Sequence, residues 1–369
     1  MVANNPCDRV RNGSGVWWGV LWGCLGISAG LSAAVPSRAV VDANQASVDL
    51  PLPFRGVALY CFMLPEYLAV TRAPQDVAAA AELSPGAFRE GHDLARRIFP
   101  AIEKVRANIS GVTFAQPNVE ALLALNPSAV IHWREYKAYQ ASMERVGLPV
   151  VALSHARRED WIFEAARIFA EVSGVPDRAR ELATRYRDEK RALADELQPA
   201  TLPNQPTVLR LWIPQEGGYN AVGKGQLFSA LIEQAGGVTA VNIASAWVEL
   251  DIERLLAIDP DVILLSSRPD QPRPETLFAR AQWQPLSAVK HRRIYSEPPA
   301  FSNLMAAPLY CRWLAELLHP ERMQPRLRGM FRAYFRDDFN YRMDEAETDA
   351  RLFVRENSHS SGYDRFQKP

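Results

Sequence analysis

Short apolar runs alternate with amphipathic stretches along most of the chain. The apolar runs predict buried strands at 55–60, 129–132, 149–153, 207–212, 262–265 and 293–295. Between them, apolar residues recur at the three- and four-residue spacing of helices, at 65–70, 119–125, 139–146, 226–234, 252–258 and 308–318. Strands that alternate with helices predict mostly parallel sheets covered by helices, and this pattern runs twice along the chain.

The longest helical stretch lies between the two halves of this pattern. It runs from Asp160 to Leu197, with one interruption at Gly174-Val175-Pro176, and a proline-bounded break follows at 199–206. The flanks of the whole pattern are polar, which predicts a linker before it and a frayed tail after it. The predicted parts are a linker at 40–54, an N-terminal α/β lobe at 55–157, a connecting-helix region at 158–198, a C-terminal α/β lobe at 199–345 and a polar tail at 346–369.

Two segments 133 residues apart match each other. Residues 118–133 and 251–266 share a glutamate, two leucines, an alanine and a proline at the same positions. Asn118 and Asp251 are suited to cap a helix, and Glu120 and Glu253 fall in its first turn, where the helix dipole favours an acid. Equivalent units indicate two Rossmann-like lobes with a cleft between them, and ligands of such sheets bind at the carboxyl ends of strands.

The first 39 residues have the pattern of a secretory signal peptide. Arg9 and Arg11 precede an uncharged apolar stretch that gives way to small residues. Cleavage after Ala34 or Ala39 fits, because each has small residues at the −1 and −3 positions. A retained membrane anchor is the alternative, although the stretch is glycine-rich and barely long enough to span a bilayer. A lipoprotein is less favoured, because a bulky Trp22 precedes Gly23-Cys24.

The composition and the absence of catalytic and metal-binding motifs argue against several classes of function. The 369 residues include 42 Lys and Arg against 42 Asp and Glu, a balance that argues against a protein that coats nucleic acid. Of the four cysteines, Cys61 and Cys311 follow the predicted signal, and whether they form a disulfide stays open. The histidines lack the paired spacing of a metal site, and no GxSxG, Walker or HExxH motif occurs. We therefore expect no catalytic site, no resident metal and no cofactor.

The order and spacing of these motifs resemble the periplasmic substrate-binding proteins of ABC importers for ferric siderophores, haem and cobalamin. The resemblance covers roughly residues 55–345, and it also rests on Ala235-Gly236-Gly237 and on 283–295. It implies two α/β lobes joined by one long helix, with the ligand between them. It further implies that Glu120 and Glu253 dock onto the permease, since their counterparts do so in the cobalamin-binding member.

Residues that follow the predicted strands form the candidate ligand site. Aromatic walls with a few fixed cations suit a large, partly apolar, anionic complex. Arg134 and Arg268, one from each lobe, would clamp carboxylate or catecholate oxygens. The resemblance places Trp247 where the cobalamin-binding protein has a pocket tryptophan. The candidate set is Met63, Trp133, Arg134, Tyr136, Trp212, Tyr219, Trp247, Arg268 and Phe301.

We therefore predict a monomeric periplasmic receptor for an iron–siderophore type of metal chelate, or for haem or cobalamin. Its partner is the permease dimer of an ABC importer in the inner membrane. One alternative is a receptor for bare metal ions, for which His132 and His155, each at a strand end, are the nearest candidates. A second alternative, of a different class, is a secreted enzyme that uses the cleft.

Overall fold

Strands and helices alternate along the chain in the computed structural model, which describes residues 36–60, 63–81, 92–113, 115–154, 159–198, 202, 204–267, 271–299 and 306–367. The strands are β1 (Ser37–Val41), β2 (Ser47–Pro51), β3 (Val57–Leu59), β4 (Val77–Ala80), β5 (Ala129–Trp133), β6 (Val150–Leu153), β7 (Thr207–Trp212), β8 (Tyr219–Ala221), β9 (Val238–Thr239), β10 (Val248–Leu250), β11 (Val262–Leu265) and β12 (Ile294–Ser296). The helices are α1 (Leu64–Thr71), α2 (His92–Ile98), α3 (Val119–Leu125), α4 (Lys137–Glu144), α5 (Glu159–Ser173), α6 (Pro176–Leu197), α7 (Leu227–Gln234), α8 (Ile252–Ile258), α9 (Pro274–Phe278), α10 (Ser287–Lys290), α11 (Ala307–Leu318), α12 (Leu327–Phe339) and α13 (Glu345–Arg351). Within these ranges, no helix is both long and apolar enough to cross a membrane.

The N-terminal sheet has four parallel strands in the order β4-β3-β5-β6. Every residue of β3, β5 and β6 is buried. Continuous apolar strands of this kind are typical of parallel sheets that are covered on both faces. The pairing of Trp133 with Leu153 brings the carboxyl ends of β5 and β6 to the same edge. The candidate residues of this lobe follow that edge.

The C-terminal sheet repeats the same core. Its parallel strands have the spatial order β9-β7-β11-β12, which corresponds to the order β4-β3-β5-β6 of the N-terminal sheet. Two further strands, β8 and β10, add an antiparallel pair beside the carboxyl half of β7, where Trp212 pairs with Asn220. This addition distinguishes the two lobes, and it lies at the edge where ligands bind in open α/β sheets.

The two matched segments fold alike, as the sequence pattern indicates. Oδ1 of Asn118 accepts a hydrogen bond from the backbone N–H of Ala121 at 3.1 Å, and Oδ1 of Asp251 accepts one from Arg254 at 2.8 Å. Both helices have seven residues and a single buried leucine, and each ends at a left-handed residue. The internal repeat therefore extends from the sequence to the capping hydrogen bonds.

The repeat also fixes how each central strand begins. Ser128 Oγ accepts a hydrogen bond from the backbone N–H of Arg55 at 2.8 Å, just before β3. At the equivalent position, Asp261 Oδ2 accepts one from the backbone N–H of Thr207, also at 2.8 Å, at the start of β7. Different side chains thus perform the same anchoring task in the two lobes.

Helices α5 and α6 occupy the region predicted to connect the lobes. They separate at Gly174, whose φ of +77° favours glycine, and a Cβ there would collide with the guanidinium of Arg38. α5 packs against α1 and β1, whereas α6 also packs against α11 of the C-terminal half. With 22 residues, α6 is about 33 Å long. Near its end, Glu196 forms an ion pair with Arg312 of α11 at 2.5 Å.

Residues 40–54 hold most of a β-hairpin, not the predicted linker. β1 and β2 pair antiparallel, and Val40 and Leu50 are fully buried. Asp42 holds the turn, because its carboxylate accepts hydrogen bonds from the backbone N–H groups of Asn44, Ala46 and Ala152. The hairpin turn thus covers the outer edge of β6. The hairpin starts at Ser37, inside the segment 1–39 that the sequence assigned to a signal peptide.

The predicted polar tail is also folded. Within 346–369, Leu352, Asn357, Tyr363 and Phe366 are buried. The hydroxyl of Tyr363 accepts a hydrogen bond from Trp313 Nε1 at 3.1 Å and donates one to the carbonyl of Leu352 at 2.7 Å. These few buried apolar residues lie among polar ones, so the tail sequence has no periodic hydrophobic pattern. The tail nevertheless packs onto the C-terminal lobe.

Residues 327–367 form a C-terminal strap that contacts both lobes. On the N-terminal side, Phe339 packs edge-on against Phe99 at 5.9 Å, and Arg97 lies 3.4 Å from Glu347. On the C-terminal side, Asn357 exchanges two hydrogen bonds with the backbone of Ser296 at the end of β12. The strap therefore connects the lobes separately from α6.

The buried carboxylate of Asp338 fastens the strap to the connecting helix. It forms ion pairs with Arg178 at 2.7 Å and with Arg185 at 2.5 Å, both on α6, and with Arg72 of the N-terminal lobe at 3.3 Å. Several cations around one buried carboxylate compensate for the loss of its hydration.

Candidate functional site

The turn after β5 presents an aromatic and cationic surface on the N-terminal lobe. Tyr136 is 39% exposed and stacks on Tyr139, with ring centroids 5.8 Å apart and planes 12° apart. The guanidinium of Arg134 is partly exposed and donates hydrogen bonds to the carbonyl of Ala43 at 3.4 Å and to Glu135 at 3.3 Å. The predicted Arg134 and Tyr136 thus lie on one accessible turn, and the hairpin turn borders it.

Two buried aromatic residues support this surface from below. His132 is fully buried, its Nε2 is 2.8 Å from the carbonyl of Ala115, and its ring lies 5.5 Å edge-on from Tyr136. Tyr60 lies against the same imidazole at 5.4 Å, and burial raises the pKa of its phenol, whose O–H donates to Ile109. His132 is therefore held by backbone oxygen and aromatic rings, which suits a supporting role better than metal ligation.

The ends of β7 and β10 carry a pair of tryptophans on the C-terminal lobe. Trp212 is the last residue of β7, and Trp247 directly precedes β10, with β8 between the two strands. Their rings meet edge-on at 6.1 Å and 70°. Trp247 is 40% exposed, whereas Trp212 is half-buried beneath it. The structure thus joins two residues that the sequence predicted separately.

Other predicted residues lie in the lobe cores. Met63 is 2% exposed and Trp133 is 7% exposed, and both belong to the apolar core of the N-terminal lobe. Tyr219 is 7% exposed, and its hydroxyl already accepts a hydrogen bond from Trp283 Nε1 at 3.1 Å. Met63 and Tyr219 are therefore packing residues, because their side chains are buried within core clusters.

Several of the predictions depend on residues outside the described ranges. Arg268 and Phe301 are two of them, so neither the arginine clamp nor the last aromatic wall is described. The others are the pairing of Cys61 with Cys311, His155 of the metal-ion alternative, and the signal peptide as far as residue 35. The thiol of Cys311 is buried, 3.7 Å from the carbonyl of Leu231.

Two buried polar groups at strand ends fall outside the predicted set. Trp161, in the first turn of α5, lies 6.1 Å from Trp133 and is 6% exposed. Ser266 directly follows β11 and is 5% exposed. Within the described chain, neither Trp161 Nε1 nor Ser266 Oγ has a hydrogen-bond partner. No motif distinguishes Trp161 in the sequence, since it reads as an apolar helix residue.

The two predicted docking acids occupy equivalent positions in the first turns of α3 and α8. Glu120 and Glu253 are both exposed and lie at the second position of α3 and α8. Each helix has a side-chain cap at its start and an apolar anchor beneath it. The acids are therefore held on rigid, matching supports.

Comparison with known proteins identifies the family. The sequence profile described as "Periplasmic binding protein" matches residues 92–300, more than half of the chain. The chain belongs to this family. The match includes the matched segments, the connecting helices and the paired tryptophans, so this periplasmic binding protein carries both lobes of its class.

Curated relatives of this periplasmic binding protein differ in what they bind. A cobalamin-binding protein of Halobacterium salinarum is 28% identical over 195 residues, which cover 52% of this chain and 51% of that protein. The Fe(3+) dicitrate-binding periplasmic protein FecB of Escherichia coli is 27% identical over 237 residues, which cover 60% of this chain and 72% of that protein. The chain spans about half the length of several curated relatives that it matches.

Solved structures agree on the fold. A periplasmic solute binding protein from Veillonella parvula superposes with a TM-score of 0.76 at 21% identity, over 88% of this chain and 99% of that one. The shared fold therefore extends beyond residues 92–300, which the family profile matches, to most of this periplasmic binding protein.

The described side chains do not favour binding of a bare metal ion. Among the described residues, no three His, Cys, Asp or Glu side chains come together as they would around an ion. The accessible side chains at the strand ends are instead aromatic rings and a guanidinium. Such a surface is suited to an organic molecule or a chelate.

Proposed function

We propose that this protein captures a metal chelate on the outer side of the cytoplasmic membrane and delivers it to an ABC importer. The observation that carries the proposal is the paired aromatic surface of each lobe at the carboxyl ends of the strands. Tyr136 stacks on Tyr139 in one lobe, and Trp247 covers Trp212 in the other. Large aromatic faces contribute apolar contact area at little entropic cost.

The family supports a binding role without catalysis. The names of relatives specify cobalamin and ferric dicitrate as ligands, and both are large metal complexes with an organic periphery. A bare metal ion would need converging oxygen, nitrogen or sulfur ligands, whereas the accessible groups here suit the organic periphery. We therefore favour a chelate, with direct ion binding as the second candidate.

Glu120 and Glu253 form the docking contacts of this proposal. Each is exposed near the start of a capped helix, and the helices are equivalent in the two lobes. A pair of acids on matching supports is complementary to arginines on a symmetric permease dimer, with one protomer for each lobe. The receptor acts as a monomer in this arrangement.

Export by a cleaved signal peptide completes the proposal. Cleavage after Ala34 leaves β1 intact, because the strand begins at Ser37. Cleavage after Ala39 would remove Arg38, which donates a hydrogen bond to the carbonyl of Val172 at 2.6 Å. We therefore assign Ala34 as the preferred site, and mass spectrometry of the secreted protein tests it.

Binding is tested by tryptophan fluorescence with ferric citrate, a ferric hydroxamate siderophore, haemin and cyanocobalamin. At least one chelate is expected to bind, and Trp247→Ala is expected to weaken that binding at least about tenfold, since a partly exposed ring loses its contact area. Failure of all four chelates together with a response to free metal ions would refute the proposal. Unchanged affinity in Trp247→Ala would remove this tryptophan from the site.

Delivery is tested by the double variant Glu120→Arg/Glu253→Arg. It is expected to abolish uptake in cells while the purified protein keeps its ligand affinity. The matched control is Glu144→Arg/Glu321→Arg, which makes the same charge change at exposed acids without equivalent positions. Equal uptake in the two double variants would contradict the docking role.

A further inference from the structure

Trp161 of α5 carries a buried hydrogen-bond donor. It lies in the first turn of the helix, eight residues after β6 ends at the edge that ligands approach. The ring is 6% exposed, and Nε1 has no hydrogen-bond partner among the residues described. An indole N–H can only donate, and leaving it buried and unpaired is unfavourable. An acceptor atom on a bound ligand would remove this cost.

A second unsatisfied group lies at the equivalent edge of the other lobe. Ser266 follows β11 as Trp133 ends β5, because the two positions are 133 residues apart in the matched segments. Its backbone N–H donates to the carbonyl of Leu211 at 2.8 Å, which fixes the residue on the sheet. Its hydroxyl is buried, and the described residues offer it no hydrogen-bond partner.

One feature favours an anionic oxygen at the Trp161 side. Arg134 provides a partly exposed guanidinium next to Trp133, whose ring lies against that of Trp161. A carboxylate would be stabilised by this guanidinium.

We propose that Trp161 Nε1 and Ser266 Oγ donate hydrogen bonds to oxygen atoms on opposite sides of the bound chelate, and that the ligand therefore carries carboxylates. This inference rests on the proposed function and specifies the ligand of the same site. One donor from each lobe requires a ligand with acceptors on two edges. The aromatic pairs contribute contact area, whereas these donors select oxygen-rich chelates.

The test uses Trp161→Phe and Ser266→Ala, which remove only the N–H-bearing ring and the hydroxyl. Affinity for ferric citrate is measured by calorimetry. Each variant is expected to raise Kd about tenfold, as for a lost hydrogen bond to a charged acceptor. Ser266→Ala is expected to leave the urea midpoint of the ligand-free protein unchanged, because its hydroxyl has no partner among the described residues. Trp161→Phe also removes packing volume from the core and is expected to lower the midpoint, so the Kd is the measurement that decides.

The matched control is Trp283→Phe. Its indole N–H is buried too, but it already donates to the hydroxyl of Tyr219. This variant is expected to lower the urea midpoint, as Trp161→Phe does, and to leave the Kd for ferric citrate unchanged. A Kd that rises in Trp161→Phe but not in Trp283→Phe separates ligand binding from packing.

The outcomes distinguish a failure of the carboxylate inference from a failure of the proposed function. Ferric citrate binding that is equal in wild type, Trp161→Phe and Ser266→Ala overturns this inference and leaves the proposed function standing. Binding of cyanocobalamin, haemin or the hydroxamate without ferric citrate overturns the carboxylate class. Binding of none of the four chelates overturns the proposed function, and this inference falls with it.

Discussion

Replacement of Arg210 by leucine tests the buried ion pair of the C-terminal sheet. Arg210 is 7% exposed in the middle of β7, and it donates to Glu297 at 2.7–3.0 Å. Tyr310 donates to the same carboxylate at 2.7 Å, and the guanidinium lies 3.7 Å from the ring centroid of Phe228. Burial acts to lower the pKa of Arg210, but the charge and hydrogen bonds of Glu297 outweigh it, so the pKa is raised. The equivalent residue of the N-terminal sheet is Leu59.

Arg210→Leu leaves Glu297 buried without its cation. Removing one partner of a buried pair costs about 3–5 kcal/mol, whereas replacing both by uncharged groups is often neutral. The double variant Arg210→Leu/Glu297→Gln keeps an acceptor for the hydroxyl of Tyr310 and leaves no charge. We therefore expect the single variant to lose about 3–5 kcal/mol of unfolding free energy, and the double variant to recover at least half of it.

Urea unfolding, followed by circular dichroism, measures both values. Asp188→Asn is the control, since this exposed acid lies 3.4 Å from Arg191 on the surface of α6 and should contribute under about 1 kcal/mol. The reasoning fails if Arg210→Leu loses no more than the control, or if the double variant is as unstable as the single one.

Three further predictions concern stability. Burial lowers the pKa of His319 below its usual 6.5, so the unfolded chain gains a proton before the folded one as the pH falls. The unfolding free energy should therefore drop between pH 7.5 and 5.5, and it should drop less in His319→Gln. Tyr363→Ala should cost about 3–5 kcal/mol of unfolding free energy in urea, whereas Asp364→Ala, at the exposed neighbouring position, should be near neutral. Equal effects of the two changes would mean that the tail is frayed and not packed. Asn118→Ala and Asp251→Ala should each cost about 1 kcal/mol and add in the double variant, because the caps lie in separate lobes; strong non-additivity would contradict independent capping.

Local signals explain why the two-lobe fold was predictable. The helices that follow Asn118 and Asp251 have their cap, first-turn acid and terminating proline within ten residues. Such features do not depend on the rest of the chain. The hairpin at 37–51 and the folded tail were missed for the opposite reason. Val40 lies in a three-residue apolar run that is too short to predict a strand, and Tyr363 and Phe366 are isolated apolar residues in polar surroundings. All three are buried by partners that are distant in the sequence.

The candidate site was predictable by position but not by orientation. The rule that ligands meet the carboxyl ends of strands selected Arg134 and Tyr136, and the family resemblance selected Trp247. All three side chains are at least partly exposed in the structure. The rule could not show that Tyr219 faces the core, because the antiparallel strand β8 has no counterpart in the N-terminal lobe. Nor could it find Trp161, whose importance depends on an unpaired nitrogen atom.

The C-terminal strap changes how many ways the lobes can move. A single connection would leave rotations about several axes as well as twisting. Attachment through both α6 and the strap, with Asp338 joining them, restricts these rotations. Under the proposed function, a permease would therefore meet the two surface glutamates at a restricted range of separations.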